Sequence, residues 1–272
     1  MSFERPGLKT EKLDLGEFFK KKMEEFSPEL KMQAERLRRC GFDLGDDCRV
    51  KMGSFLGAIA PKELAADMMA VKNAKAGHTR ELASDQVKAA NKEIGDALEV
   101  AKTAGVNSHW FGGRFIAIRS SEFDDYCGNK VDNLIFDTIT LEPLAAMDVT
   151  TDRASKARDL KTQLAITKKI GEGADVKYGY ALEKIKEAPG YRAVRKTNQK
   201  LPYFLIELNV ATLEVVMRDL VSGVDTPALL DASNELLMDL RKQAKACQEL
   251  VVTKNKGLAA AYGRLLRIFE SI

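Results

Sequence analysis

The sequence predicts an α+β protein: a helical N-terminal region, then a mixed β-sheet core flanked by helices, then a helical C-terminal tail. Three observations predict it. Apolar residues recur at helical spacing up to about residue 105. Alternating and β-branched runs take over between Arg114 and Leu208, and helical stripes return from Leu213. The divisions fall at 1–110, 111–210 and 211–272.

In order, Leu13 to Phe26 and Pro28 to Arg39 read as two short amphipathic helices, with Ser27 as N-cap and Pro28 at the first helical position. Asn73 to Thr79 reads as a loop within a helical stretch opened by Pro61. Val87, Ala90, Ile94, Leu98 and Ala101 mark a helix ending near Gly105. Strands are predicted over Arg114 to Arg119, Asp132 to Ile139 and Leu144 to Val149, with an acidic turn, Ser121 to Gly128, between the first two. A helix over Ala154 to Ile170 carries the stripe Leu160, Leu164, Ile166, Ile170 and stops at Gly171 and Gly173. These glycines follow a helix and precede a strand, the reverse of a phosphate loop. Asp175 to Tyr180 is a strand, Tyr191 to Lys200 a polar basic loop, and Pro202 to Leu208 an apolar strand expected at the sheet centre. The tail holds helices at Leu213 to Leu220, from Thr226-Pro227 through Val251, and at Leu258 to Ile272. Their stripes suit packing on the sheet, or a coiled-coil homodimer.

Composition bounds the partners. The chain has 272 residues, with 45% hydrophobic and 31% charged residues, an ordinary balance for a soluble globular protein. No run is long and apolar enough to span a bilayer or serve as a signal peptide, and four scattered cysteines without zinc spacing read as reduced thiols, so a cytoplasmic location is expected. Net charge is only +3, but residues 153–200 carry 13 Lys and Arg against 5 Asp and Glu, a local +8 that leaves −5 elsewhere. Such a segment suits a phosphate backbone or a solvated helix face.

The most informative pair is Asp132 and Asp148. If the strands Val131 to Phe136 and Leu144 to Thr150 form a hairpin turning near Thr140, the two aspartates face each other across the ladder. Carboxylates about 5 Å apart at Cβ repel, so a cation or a shared proton would compensate them. That reads as a divalent-metal site. Each also has a plainer reading: Asp148 as a turn or helix cap, Asp132 as strand-edge polarity, and Glu122, Asp124 and Asp125 as a solvated turn. His109 beside Trp110 reads as a packing pair, and His78 as a lone loop residue.

The order of acidic turn, strand with Asp132, strand with Asp148-Val149-Thr150, helix and further strands resembles the PD-(D/E)XK nuclease superfamily, over roughly residues 114 to 210. That family has a mixed sheet flanked by helices, an Asp on one strand and an acidic-x-Lys motif on the next. The resemblance implies a nuclease-like core at 111–210 that hydrolyses phosphodiester bonds in nucleic acid, DNA first, with Mg²⁺ or Mn²⁺. It makes Asp132 and Asp148 metal ligands, with Glu122 or Asp125 supplying the upstream acid. The metal would polarise the phosphate and lower the pKa of an attacking water. Arg192, Arg195, Lys196 and Lys200 would hold the backbone.

One position departs from the pattern. Thr150 stands where the motif lysine belongs, and a hydroxyl cannot offset developing negative charge as an ammonium does. Lys156 is the first candidate to reach back, Lys177 the second. Without a replacement, the chain is expected to be a non-catalytic nucleic-acid-binding or oligomerising scaffold.

Overall fold

A computed structural model describes residues 6–108, 110–128, 130–186, 190–224 and 226–272. Helix α1 runs unbroken from Pro6 to Arg39 with Pro28 inside it, so the two predicted helices are one and Ser27 caps nothing. The reason is burial. Phe19, Phe26, Leu30, Ala34 and Leu37 form one stripe across the proline. At about 2 kcal/mol for each larger side chain, that stripe outweighs the ~3 kcal/mol of an interior proline. The stripe lies on the helix over Gln86–Ser108, and a Cβ at Gly16 would meet Ala90 Cβ at 2.7 Å, so glycine permits the close crossing.

Helix α2 spans Pro61–Ser84 and absorbs the predicted loop at 73–79. Helix α3, Gln86–Ser108, opens on Asp85, whose carboxylate accepts from the Val87 and Lys88 amides at 3.0 and 3.1 Å. Strand β1 is Phe115–Arg119, and a single π-type turn, Phe123–Cys127, occupies the acidic segment. Strands β2, Asn133–Asp137, and β3, Pro143–Thr150, follow. The helix predicted over 154–170 is broken in two. Helix α4 is Arg153–Arg158, and α5, Leu160–Glu172, starts afresh because the Asp159 carboxylate accepts from the Thr162 amide at 2.9 Å. Leu160 and Leu164 are exposed, leaving Ile166 and Ile170 as the packed part of the expected stripe.

Strands β4, Ala174–Lys184, and β5, Tyr191–Leu201, form a separate antiparallel ribbon, so the predicted basic loop is a strand. Its apolar side comes from β4, where Val176, Tyr178, Tyr180 and Leu182 are buried while β5 keeps a wet face. Strand β6, Tyr203–Glu207, is followed by α6, Val210–Ser222, α7, Pro227–Val251, and α8, Lys256–Glu270.

The main sheet has the order β1-β2-β3-β6, antiparallel except for the parallel β3–β6 pair. Strand β6 is therefore an edge strand. It can be apolar because side chains complete its free backbone groups: Gln243 Oε1 accepts from the Leu205 amide at 3.1 Å, and Gln243 Nε2 and Arg153 donate to the Leu205 carbonyl at 2.9 and 2.6 Å. The Tyr262 hydroxyl accepts from the Tyr203 amide at 3.0 Å and donates to the Tyr203 carbonyl at 3.2 Å. Capped this way, the edge is closed to further strands. One hydrophobic cluster runs through all three predicted divisions, from Phe19 through Phe136 to Phe269. Among the described residues, no helix is long and apolar enough to cross a membrane.

Candidate functional site

The β2–β3 register pairs Asn133 with Met147 and Leu134 with Ala146, which sets Asp132 and Asp148 as the next pair at the open end of the hairpin. Asp132 sits one residue before β2 and is still held by both neighbours. Its amide donates to the Met147 carbonyl at 3.0 Å, its carbonyl accepts from the Ser120 amide at 2.9 Å, and its Oδ2 accepts from the Val149 amide at 2.7 Å.

Around Asp132 the structure gathers two further carboxylates. Glu99 comes from α3 and Asp125 from the π-type turn, and one oxygen from each of Glu99, Asp125 and Asp132 lies within 4.8 Å of the others. These are hard donors of the kind Mg²⁺ and Mn²⁺ take, so the residues fit the expected metal. Burial raises the Asp132 carboxyl well above the usual range. The charges of Asp148 and Glu99 add to that rise, and Lys102 opposes it. Burial likewise lifts Asp125, to about 6, with Arg49 opposing and Glu99 adding. A cation bound by the three would offset the repulsion that raises both.

Asp148 stands beside this trio and is not one of the convergent three. Its Oδ2 accepts from Lys169 Nζ at 2.9 Å and from the Tyr203 hydroxyl at 2.7 Å, with Lys169 Nζ also 3.0 Å from the Lys130 carbonyl. Burial, and then the Asp148 charge, pushes the Tyr203 hydroxyl far above its ordinary value. Lys169 is thus the lysine bound to Asp148. The Thr150 hydroxyl instead closes a turn, donating to the Asp152 carbonyl and accepting from its amide, both at 3.2 Å.

Two arginines bind the acidic floor from behind. Arg49 donates to Asp125 at 2.8 Å and to Glu99 at 3.3 Å, and Arg119 donates to Glu99 at 2.7 Å and to Asp47 at 3.2 Å. Glu99, Asp125, Asp132, Asp148 and Lys169 line a cleft of roughly 1790 Å³, whose remaining lining comes mainly from α1, α2, α3, α5 and α6.

Other predicted residues lie apart. Glu122 pairs with Lys75 and is outside the trio, which the other expected acid, Asp125, forms with Asp132 and the unforeseen Glu99. Lys177 is bound to Glu63 at 2.7 Å and Asp67 at 2.5 Å, away from Asp148. The side chain of Lys156 and the whole of His109 lie outside the described residues, while Trp110 is buried. His78 belongs to α2 and faces the cleft beside Tyr126, ring centroids 6.4 Å apart. The basic group on β5 is largely spoken for: Arg192 pairs with Glu183 at 3.4 Å, Lys200 with Asp175 at 3.4 Å, and Arg195 with Asp43, while Lys196 is exposed.

Glu99 had a signal in the sequence. Within Ala97 to Val106 it and Lys102 are the sole charges in a helix segment that is otherwise apolar or small on every side. Lys169 had none, since it follows Lys168 in an ordinary basic helix end. No family model matches this chain, and no curated protein or solved structure does.

Proposed function

We propose that the protein hydrolyses phosphodiester bonds in nucleic acid, DNA first, with a divalent cation, and that it is a divergent relative of the PD-(D/E)XK nucleases. The observation that carries this reading is Lys169 Nζ on Asp148 Oδ2 at 2.9 Å, beside the convergent oxygens of Glu99, Asp125 and Asp132. A mixed sheet, an acid at the start of one strand, a second on the next, a third from the preceding helix and a lysine ammonium at the second acid are the parts the resemblance calls for. Here the lysine arrives from α5.

Glu99, Asp125 and Asp132 would hold Mg²⁺ or Mn²⁺. The bound ion supplies Lewis-acid polarisation of a phosphoryl oxygen and a bound water of lowered pKa. Asp148 and Tyr203 fix Lys169, so its charge is already placed where negative charge develops and need not reorganise. The Val149 amide holds Asp132 by one oxygen and orients the other.

Alanine at Asp132 or Asp148 should abolish Mg²⁺-dependent cleavage of labelled DNA with the circular dichroism spectrum retained. Lys169→Met should lower the rate about 10²–10³-fold, and Lys156→Met should change it less than twofold. Cleavage unchanged by all of the aspartate and Lys169 substitutions would exclude the reading.

A second reading has one observation in its favour: Arg49, Arg119 and Lys169 already pair with Glu99, Asp125 and Asp148, so much of the cluster's charge is balanced without a metal. On that reading the chain binds nucleic acid without cutting it. Calorimetric titration with Mn²⁺ separates the two, since only the first needs a site that takes up metal and weakens in Asp132→Asn.

A further inference from the structure

Two features of the cleft lie outside the acidic cluster. The first is a row of lysines. Lys161 and Lys168 project from α5 two turns apart, about 10 Å along the helix, and Lys130 stands before Asp132; all three line the cleft and are exposed. None forms an ion pair with another described residue. Of the acids on the same rim, Asp175 pairs with Lys200 at 3.4 Å, Glu214 with Arg218 at 3.8 Å and Glu81 with Lys88 at 3.9 Å, while Asp159 caps α5 and Glu172 is exposed. Lys161 and Lys168 thus place unpaired ammonium groups on the α5 wall next to Lys169, with Asp159 and Glu172 at the two ends of that helix.

The second feature is aromatic. Tyr126 follows Asp125 directly and lines the cleft with its ring edge-on to His78 and Lys75 Nζ 5.8 Å from its centroid. Both rings are part-exposed. A ring on a cleft wall gains stacking energy only from a base whose face is free; in a duplex those faces are covered by neighbouring pairs. At roughly 1790 Å³ the cleft exceeds the ~300–1,000 Å³ of ordinary small-ligand pockets, room for more than one nucleotide.

We infer that the cleft takes single-stranded nucleic acid, its phosphates on Lys130, Lys161 and Lys168 and a base against Tyr126, and that the β4–β5 ribbon is not the binding surface. This rests on the phosphodiesterase reading for its substrate class. A charged groove tracking the backbone, joined to an aromatic platform, is the combination that binds unpaired strands.

The test is fluorescence anisotropy on the full chain in EDTA, where binding is read without cutting, with a labelled 20-nucleotide single strand and the matching duplex. The single strand should bind at least about ten-fold tighter. Replacing Lys130, Lys161 and Lys168 together with Ala should reduce the slope of log K against log salt by about 2, at ~0.7 per phosphate contact. Tyr126→Ala should weaken single-strand binding about ten-fold, and Tyr126→Phe should restore it. Equal or tighter duplex binding, no measurable binding of either form, an unchanged salt slope, or an unaffected Tyr126→Ala would each overturn the inference. Metal-dependent cleavage without single-strand preference would remove this inference alone. Single-strand preference without cleavage in Mg²⁺ or Mn²⁺ would remove the hydrolase reading alone.

Discussion

At the open end of the β2–β3 hairpin, charges are held in place by several elements at once, whereas on the β4–β5 ribbon they sit in pairs on the surface. Lys169 and Asp148 have side chains 9% and 10% exposed, and Arg119 and Glu99 are 9% and 13% exposed. Arg192 and Glu183 are 67% and 52% exposed, and Lys200 and Asp175 are 57% and 58%. Charge density along the chain favours the second region, yet the first is where charge has consequences. A buried ion pair is expensive to break because the surviving partner stays desolvated, while water replaces either member of an exposed pair.

The largest effect belongs to Glu99. Glu99→Ala removes the nearer acceptor of Arg119, leaving it Asp47, and one of the acceptors of Arg49, and should lower stability by about 3 kcal/mol, read as a shifted urea midpoint. A loss under 1 kcal/mol would mean that these groups rehydrate and that the two regions are alike.

Asp125 gives a smaller effect with a definite pH signature. Its folded value is raised to about 6 against an unfolded value near 3.9. The folded state thus holds an extra proton between those values, and the stability contributed at this position falls as pH rises from about 4 to about 6, then levels off. In EDTA, Asp125→Asn removes that slope. The difference in melting temperature, variant minus wild type, should grow across pH 4 to 6 and stay constant above it; a difference flat across that range would contradict the burial argument.

The smallest effect belongs to the ribbon. Arg192→Ala and Lys200→Ala should each change stability by under about 0.5 kcal/mol and leave cleavage unaltered. A marked loss of cleavage in either would return the ribbon to the substrate path.

The parts of this molecule legible in the sequence were those governed by local periodicity. Strands β1 to β3, the Asp132–Asp148 register, and the α6 to α8 tail follow from alternation, turn position and apolar stripes. Three misreadings share a cause, which is that tertiary packing overrode a local signal. Pro28 stays inside α1 because the stripe on α3 continues past it. The 191–201 segment becomes a strand because β4 supplies the apolar side that β5 lacks. Strand β6 reads as central because Gln243, Arg153 and Tyr262, far along the chain, supply what a neighbouring strand would. At the site, Asp132, Asp148 and Asp125 were visible as acids near strand ends. Lys169 was not, because only the docking of α5 distinguishes it from Lys168.

That docking gives Lys169 a mechanical character of its own. A lysine on β3 would be pinned by the sheet ladder, but α5 begins at a fresh cap on Asp159 and ends at Gly173, where φ is +83°. The helix is a short rod with a side-chain cap at one end and a positive-φ glycine at the other, resting on the hydrophobic core through Ile166 and Ile170. Because Lys161, Lys168 and Lys169 share this rod, a rigid-body shift of it would part the ammonium from Asp148 and carry the other two lysines along. Charge placement at Asp148 therefore depends on the docking of one helix as much as on the β3 ladder.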